Sequence, residues 1–481
     1  MKAAFENIKE YYEVLIVGGG IVGAGIFRDL SLHDTSCLLI DKKDFSSQTS
    51  QSSSKMLHGG IRYLENFDFK LIWEALHEKN LWLKLAPHLC YSQNFVLPIY
   101  DNSKWPLFMM RFALSLYDFL SGYENIGHEI ISKRKLIKKI PGIKENGLKG
   151  GGTYHDAIMD DAKITLEVIF DGLKNKSCNA INYIEFLSFE NKGEINLVHI
   201  KDTLTGIKKT IKVKELIFAI GPFTDQLLGK QKNLNWNPIL LPSKGSHLWI
   251  DKKHLPIEYP IVLNTNDNRV IFVIPQQQAV LVGTTEEPIE QDMFDVRPSK
   301  NEIEYLLKNL NNYFPGYTID KNSVLSSFSG IRPLVKGDSD DLGKTARTEK
   351  IYQPYHNVHV IAGGKYTTFR VMGQGISRII IGRKKMPYNH KLTESTLKRP
   401  LLVPAFKPVP LNEELIFKII EREKVRTFED LIYRRIGIES KKHWKSEMAE
   451  GKSFDEFFLP LVEKLSKKIK ITREDVLSYF A

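Results

Sequence analysis

The segment that most narrows the fold lies near the amino terminus, where a short apolar run, Val14 to Val17, meets Gly18, Gly20 and Gly23 in a GxGxxG spacing. Ile21 to Leu32 reads as a helix, and a second apolar run, Cys37 to Ile40, ends at Asp41. Strand, glycine turn, helix, strand and acid in this order make a βαβ unit suited to a dinucleotide. The glycines let the backbone approach a pyrophosphate, the helix N-terminus offers N–H donors, and the carboxylate accepts from a ribose hydroxyl. The glycine spacing alone also occurs in turns of unrelated α/β folds; the elements around it select the dinucleotide reading.

A polar loop, Ser46 to Lys55, and the stretch HGGIRYLE, His58 to Glu65, follow. By composition the serine run is a solvated linker, but its place just beyond the acid-bearing strand puts it at the carboxyl edge of a sheet, where ligands bind. The strand-then-glycine pattern recurs at Leu216 to Ile220 before Gly221, and at Val358 to Ile361 before Gly363, Gly364 and Lys365. These repeats predict a discontinuous nucleotide domain made of residues 1–90, 150–235 and 326–388, with 91–149 and 236–325 forming a second domain. From residue 389 onward there are 19 basic and 15 acidic side chains, helical spacing at Leu411 to Glu421 and Phe428 to Ile436, and a proline-marked linker (Pro400, Pro404, Pro408, Pro410). Residues 389–481 are therefore expected to form a helical C-terminal domain.

A chain of 481 residues with 42% hydrophobic side chains is long enough for several cored domains. Its net charge of +11 favours an anionic partner: a phosphorylated metabolite, anionic lipid or nucleic acid. Against nucleic acid, the basic C-terminal stretch interleaves its charges and keeps an excess of only +4. Cys37, Cys90 and Cys178 form no CxxC, which argues against a disulfide framework or a cysteine zinc site and for a reducing compartment. Asp338, Asp340, Gly343 and Glu349 match part of a calcium-loop template, but Leu342 breaks it, and no metal is expected. No signal peptide and no clean spanning segment are visible. The nearest candidate, Trp105 to Leu120, is interrupted by Arg111 and Asp118, which with Ser115 and Gly122 trace a narrow polar stripe. Such a helix is expected to be mostly buried, in protein or in lipid.

The stretches GGGIVGAGI, TSQSSSKMLHGGIRYLE, LAPHLCYSQNFVLPIY, SKGSHLWI, SGIRPL and GGKYTTFR, spread in that order over residues 18 to 370, resemble the FAD-dependent glycerol-3-phosphate dehydrogenase family. The resemblance implies an α/β fold with a Rossmann-like FAD-binding domain of the D-amino-acid-oxidase type, a β-rich substrate domain and the helical C-terminal domain. It implies FAD as cofactor and oxidation of sn-glycerol 3-phosphate to dihydroxyacetone phosphate by hydride transfer to flavin N5. It further implies electron delivery to membrane quinone, peripheral attachment to an anionic membrane surface on the cytoplasmic side of the inner membrane, and room for a homodimer. A related branch uses oxygen as acceptor.

On this resemblance, Gly18, Gly20, Gly23, Asp41, Thr49, Ser50, Ser54, Lys55, His58, Gly59, Gly60, Gly221, Gly364 and Thr367 are expected to hold FAD. Arg62, Tyr63, Arg332, Arg347 and Lys365 are expected on the substrate, because a phosphate dianion needs fixed donors and compensating charge. His247 matches a family active-site histidine, a neutral imidazole able to take the C2 hydroxyl proton, and stands with Arg332 and Lys365 as the catalytic group; a structural histidine is the competing reading. The chain departs from the family pattern at Asp41, where many relatives have Glu, at Thr348, where an acid is common, and at Glu286 and Glu287, where Asp is common. Two other functions stay open from residues alone. An amine-oxidising flavoenzyme of the same fold would need a carboxylate clamp in place of several cations, and a basic nucleic-acid-binding protein would carry no flavin.

Overall fold

The computed structural model describes residues 5–267, 269–289, 293–336, 349–407, 409–439, 441–444 and 446–479, apart from the side chains of Arg62, Glu65, Asn66, Ser446 and Glu447. The chain divides into two compact units, one of Met1–Gln51, Asp160–Pro242 and Arg332–Ala481, the other of Ser52–Met159 and Ser243–Ile331.

The first unit is built on a sheet whose main path runs Glu349–Tyr355, Val358–Gly363, Lys208–Phe218, Tyr11–Val17, Cys37–Ile40, Asn179–Ile181. From Val358–Gly363 to Asn179–Ile181 every neighbouring pair is parallel. Continuous apolar runs such as CLLI, buried at all four residues, suit strands covered on both faces. Helix Ile21–Leu32 packs beside Asp161–Gly172 and Phe369–Arg383; a Cβ on Gly25 would lie 2.9 Å from the Phe369 ring, so the helices approach almost backbone to backbone. Strand Tyr11–Val17 is flanked by Cys37–Ile40 on one side and Lys208–Phe218 on the other, which makes its carboxyl end a topological switch point.

The C-terminal segment lies within this unit and has its own core, including Ile416, Ile419, Leu431, Phe458, Leu465 and Val476. Its helix Glu413–Arg422 falls where helical spacing is predicted, and Asp430–Ile436 winds as a π-helix. Two fully buried guanidiniums tie it to the loop after strand Cys37–Ile40: Arg434 and Arg435 each donate to Asp44 at 2.5 Å. Burial opposes ionisation of Asp44, but the two arginines outweigh it and hold the carboxyl down to about 2.

The second unit carries a sheet in the order Glu287–Pro288, Ser243–Asp251, Ala279–Gly283, Val270–Gln276, Ile261–Asn264, Cys90–Tyr100, Leu148–Met159, Met56–Leu57. Val324–Arg332 joins it at Ser243–Asp251, and Glu129–Ser132 at Leu148–Met159. Its core includes Val96, Leu136, Leu248, Val273, Val282, Leu306 and Phe314. The unit boundaries differ from those read in the sequence. Residues 52–90 and 150–159 belong to the second unit, because Met56 pairs with Ile158 and the strand Leu148–Met159 pairs along its length with Cys90–Tyr100. Residues 326–331 also fall in the second unit, whereas 236–242 and the C-terminal segment fall in the first.

The apolar helix spans Leu107–Leu120, and its surroundings split the expected polar stripe. Asp118 is buried with Met110, Ala113, Leu114 and Tyr117, whereas Phe108 and Phe112, each 74% exposed, share the outer side with Arg111 and Ser115. Asp118 turns inward because it accepts from both the backbone N–H and the ring Nδ1 of His128, at 3.0 and 2.7 Å.

Candidate nucleotide and substrate site

In the first unit the glycine turn closes on its own backbone. A Cβ on Gly18, whose φ is +109°, would lie 2.4 Å from the Ala219 carbonyl oxygen, and one on Gly23 would lie 1.9 Å from the Gly18 oxygen. These two glycines seat the helix N-terminus on the ends of neighbouring strands. Gly20 differs: its added Cβ would meet only Ser50 Oγ, at 3.0 Å, so its open side is where an anionic ligand can reach the backbone. Ser50 Oγ accepts from Ile21 N–H at 2.9 Å and retains its own proton to donate. The serine run is thus partly built into the site rather than a solvated linker: Ser46 and Ser50 are buried, and Thr49 starts the single turn Thr49–Gln51.

Asp41 lies just past its strand. Oδ2 accepts from Gly19 N–H at 2.7 Å and Oδ1 from Lys43 N–H at 2.9 Å. Burial pushes the carboxyl up to about 6, only partly offset by these two donors. Gly221 (φ +54°) follows Lys208–Phe218, and Gly364 (φ +80°) follows Val358–Gly363. Because these strands run parallel to Tyr11–Val17 and Cys37–Ile40, all four loops leave the same carboxyl edge of the sheet. Half-buried Lys365 follows Gly364, and buried Thr367 precedes helix Phe369–Arg383; half-buried Arg332 closes strand Val324–Arg332.

In the second unit His247 is wedged within strand Ser243–Asp251, 3% exposed. Its ring stacks on Phe328 with centroids 4.9 Å apart and planes 11° apart, and packs so tightly on Gly283 that a Cβ there would lie 2.2 Å from His247 Cδ2. Ser54 Oγ lies 3.0 Å from His247 Nε2. Lys55 is buried with its Nζ 5.4 Å from the Phe328 ring centroid. The loop of half-buried His58, Gly59 and Gly60 is fixed by packing. A Cβ on Gly59 would lie 2.5 Å from Leu76 and Tyr117, Gly60 is left-handed with φ +78°, and Tyr63, 7% exposed, donates its N–H to the Gly60 carbonyl at 2.8 Å. Beneath this loop Asp156 accepts from Gly59 N–H at 3.4 Å and Tyr117 Oη at 2.9 Å, with Lys79 Nζ 3.6 Å away. Burial raises the Asp156 carboxyl to about 6 despite the lysine.

Each unit therefore gathers part of the expected set. Gly18, Gly20, Gly23, Asp41, Thr49, Ser50, Gly221, Gly364, Thr367, Arg332 and Lys365 lie in the first, and Ser54, Lys55, His58, Gly59, Gly60, Tyr63 and His247 in the second. Arg347, Thr348 and the calcium-template residues Asp338, Asp340 and Gly343 lie outside the described residues, as does the Arg62 side chain. Sequence reasoning missed Phe328, Asp156 and Glu302 and did not pair Ser54 with His247. For Glu302 a signal was present: Ser299 and Glu302 have capping-box spacing.

A family model described as FAD dependent oxidoreductase matches residues 13–376. A curated aerobic glycerol-3-phosphate dehydrogenase from Bacillus subtilis is 32% identical over 380 residues, 78% of this chain and 68% of that protein. One of the same description from Staphylococcus haemolyticus is 31% identical, covering 81% of this chain and 70% of that protein. Among solved structures, a glycerol-3-phosphate dehydrogenase from Bacillus halodurans complexed with FAD aligns over 97% of this chain and 91% of its own, with TM-score 0.71 and 22% identity. An L-alpha-glycerophosphate oxidase from Mycoplasma pneumoniae with FAD bound aligns over 77% of this chain and 95% of its own, with TM-score 0.57 and 17% identity.

Proposed function

Because the chain belongs to the FAD dependent oxidoreductase family, we propose that it oxidises sn-glycerol 3-phosphate to dihydroxyacetone phosphate. The descriptions of its curated relatives supply the substrate, and the wedged His247 with Ser54 on its Nε2 is the observation that supports the chemistry. The first unit fits FAD: a turn that leaves Gly20 open, a helix N-terminus beside it, and a half-buried carboxylate at the end of the next strand. FAD, when bound, supplies the hydride acceptor for C2.

The chain's own residues handle charge and the proton. Arg332 and Lys365, with Arg347 and Arg62, compensate the phosphate dianion, and Tyr63 adds a hydroxyl. The C2 hydroxyl proton passes to His247 through Ser54, whose Oγ accepts it while giving its own proton to His247 Nε2. Gly283 and Phe328 hold the imidazole flat and away from water. The test is turnover of glycerol 3-phosphate against glycerol and against an amino acid: selective reduction of the flavin by glycerol 3-phosphate is expected, and equal or preferred reduction by the amine would overturn the reading.

For the electron acceptor the reading is a membrane quinone reached from one leaflet. Among the described residues no helix is long and apolar enough to cross a membrane. In the second unit Phe67, Trp73, Phe108, Phe112, Phe119, Tyr123 and Ile126 are all more than half exposed, a concentration of large apolar side chains that supports shallow insertion. The basic helix Lys133–Lys139 is not part of that patch: its Leu136 faces Gly151, whereas Leu114 and Met110 face Gly152, and adjacent strand residues point to opposite faces. Insertion here rests on apolar contact more than on charge. A paired assay with a quinone analogue and with oxygen separates a dehydrogenase from an oxidase.

A further inference from the structure

We propose that Glu302 is a positioning residue for His247, one buried carboxylate that fixes the backbone segments on which the imidazole is mounted and packed. The inference rests on His247 being the proton acceptor. Glu302 stands in the first turn of helix Lys300–Tyr313 and is 3% exposed. Its Oε2 accepts from Ser299 N–H at 2.8 Å and pairs with Lys244 Nζ at 2.8 Å. Its Oε1 accepts from Ser246 Oγ and from Thr285 Oγ1, both at 2.7 Å.

The partners account for the reach of this carboxylate. Ser246 immediately precedes His247. Thr285 lies two residues after Gly283, against whose backbone the imidazole packs, and its Oγ1 also accepts from Ser246 N–H at 2.9 Å. Ser329 follows Phe328, the other ring neighbour, and its Oγ lies 2.7 Å from Ser246 Oγ. The Ser246 proton is already given to Glu302, so Ser329 is the donor in that pair. Adjacent residues on a strand face opposite ways, so Ser246 points to Glu302 while His247 points to the site. One acceptor thereby sets the strand carrying the imidazole, the turn against one side of the ring and the strand bearing the aromatic against the other. Burial works against ionisation of Glu302, but Lys244, the Ser299 N–H and the two hydroxyls outweigh it and bring the carboxyl to about 2, so it remains an acceptor throughout the working pH range.

The test is single-turnover flavin reduction by glycerol 3-phosphate in the FAD-loaded full chain, for Glu302→Gln, Ser329→Ala, His247→Ala and the double variant Glu302→Gln/His247→Ala. Gln keeps the shape but loses the charge: with its oxygen on Lys244 and Ser299 N–H, its N–H2 faces the Ser246 and Thr285 hydroxyls, which must turn from donors into acceptors. The reduction rate is expected to fall about tenfold or more in Glu302→Gln, with the substrate dissociation constant changed less than about threefold, and to fall by a smaller factor in Ser329→Ala. In the His247→Ala background, Glu302→Gln is expected to add little further loss, a non-additivity that general destabilisation does not produce. The ring 15N shifts of His247 in histidine-labelled protein are expected to move in Glu302→Gln and to stay fixed in Glu304→Gln, an exposed control on the same helix. Unchanged rate and shifts in both Glu302→Gln and Ser329→Ala, with His247→Ala strongly impaired, would overturn the positioning role and leave the function intact. An unimpaired His247→Ala would instead overturn the proton-acceptor reading.

Discussion

Two glycines of the same fingerprint should fail in opposite ways, and the distances say which. An alanine Cβ at Gly23 would lie 1.9 Å from the Gly18 carbonyl oxygen, where ordinary contact begins at 3.4 Å, so the backbone must open by about 1.5 Å. The oxygen is main chain and the Cβ, bonded directly to Cα, cannot rotate away, and the helix has nowhere to retreat, since Gly25 already sits against Phe369 on its other side. Overpacking of this kind costs about 1–3 kcal/mol, and the rigid setting puts it near the upper end, about a hundredfold in the folding equilibrium. At Gly20 the Cβ would meet only a rotatable hydroxyl at 3.0 Å, and the backbone, φ −77° and ψ −178°, suits any residue. Gly20→Val should therefore keep apoprotein stability within about 1 kcal/mol of wild type. It should nonetheless lose FAD, because pushing one N–H off an anionic group removes a charge-assisted bond worth about 1.5–3 kcal/mol, or about 10- to 150-fold in affinity. The assay is urea unfolding of the apoproteins by tryptophan fluorescence, paired with FAD titration by quenching of flavin fluorescence. Gly23→Ala unfolding at the wild-type urea concentration, or Gly20→Val binding FAD within threefold of wild type, would refute the reasoning.

Arg332→Ala should weaken use of glycerol 3-phosphate by about 10- to 150-fold while leaving the poor turnover of glycerol little changed; equal losses on both would remove the phosphate role. His247→Ala should slow flavin reduction by about 100-fold or more with substrate affinity largely kept, as stopped-flow absorbance would show. Asp44→Asn should destabilise the protein by about 3–5 kcal/mol at neutral pH, because it takes from buried Arg435 the carboxylate it pairs with and from buried Arg434 one of three. The sign with pH follows from the lowered carboxyl: its contribution is full above the unfolded value of 3.8 and fades as pH falls through about 2, so the gap between wild type and variant should close in acid unfolding curves. Phe108→Ser with Phe112→Ser should abolish co-sedimentation with liposomes while leaving flavin content unchanged, and binding retained by the folded double variant would move the membrane contact elsewhere.

By itself the sequence determined the parts whose physics is local. Strand, Gly18-x-Gly20-x-x-Gly23, helix Ile21–Leu32, strand Cys37–Ile40 and Asp41 are consecutive, and each residue type is dictated by a constraint within a few positions of it, so this βαβ unit could be read from the sequence. The distinctive stretches around His58, His247, Arg332 and Lys365 carried the family in the same way. Tertiary structure alone decided what each side chain touches. Ser54 reaches His247 across 193 residues, and its place in a serine-rich run gave no hint of an imidazole. Periodicity around Asp118 traced a polar stripe, but a histidine ten residues on drew that carboxylate inward and left phenylalanines outside. Strand pairing joins Met56 to Ile158 and so decides which compact unit holds the chain around residue 56, and no local pattern encodes a partner 102 positions away. Arg434 and Arg435 stand in a stretch of interleaved charges, and only the fold shows them buried on Asp44. Local sequence fixes backbone preference and which residues are apolar; the pairing of distant polar groups is set by which surfaces meet when the cores close, and that is a property of the whole chain.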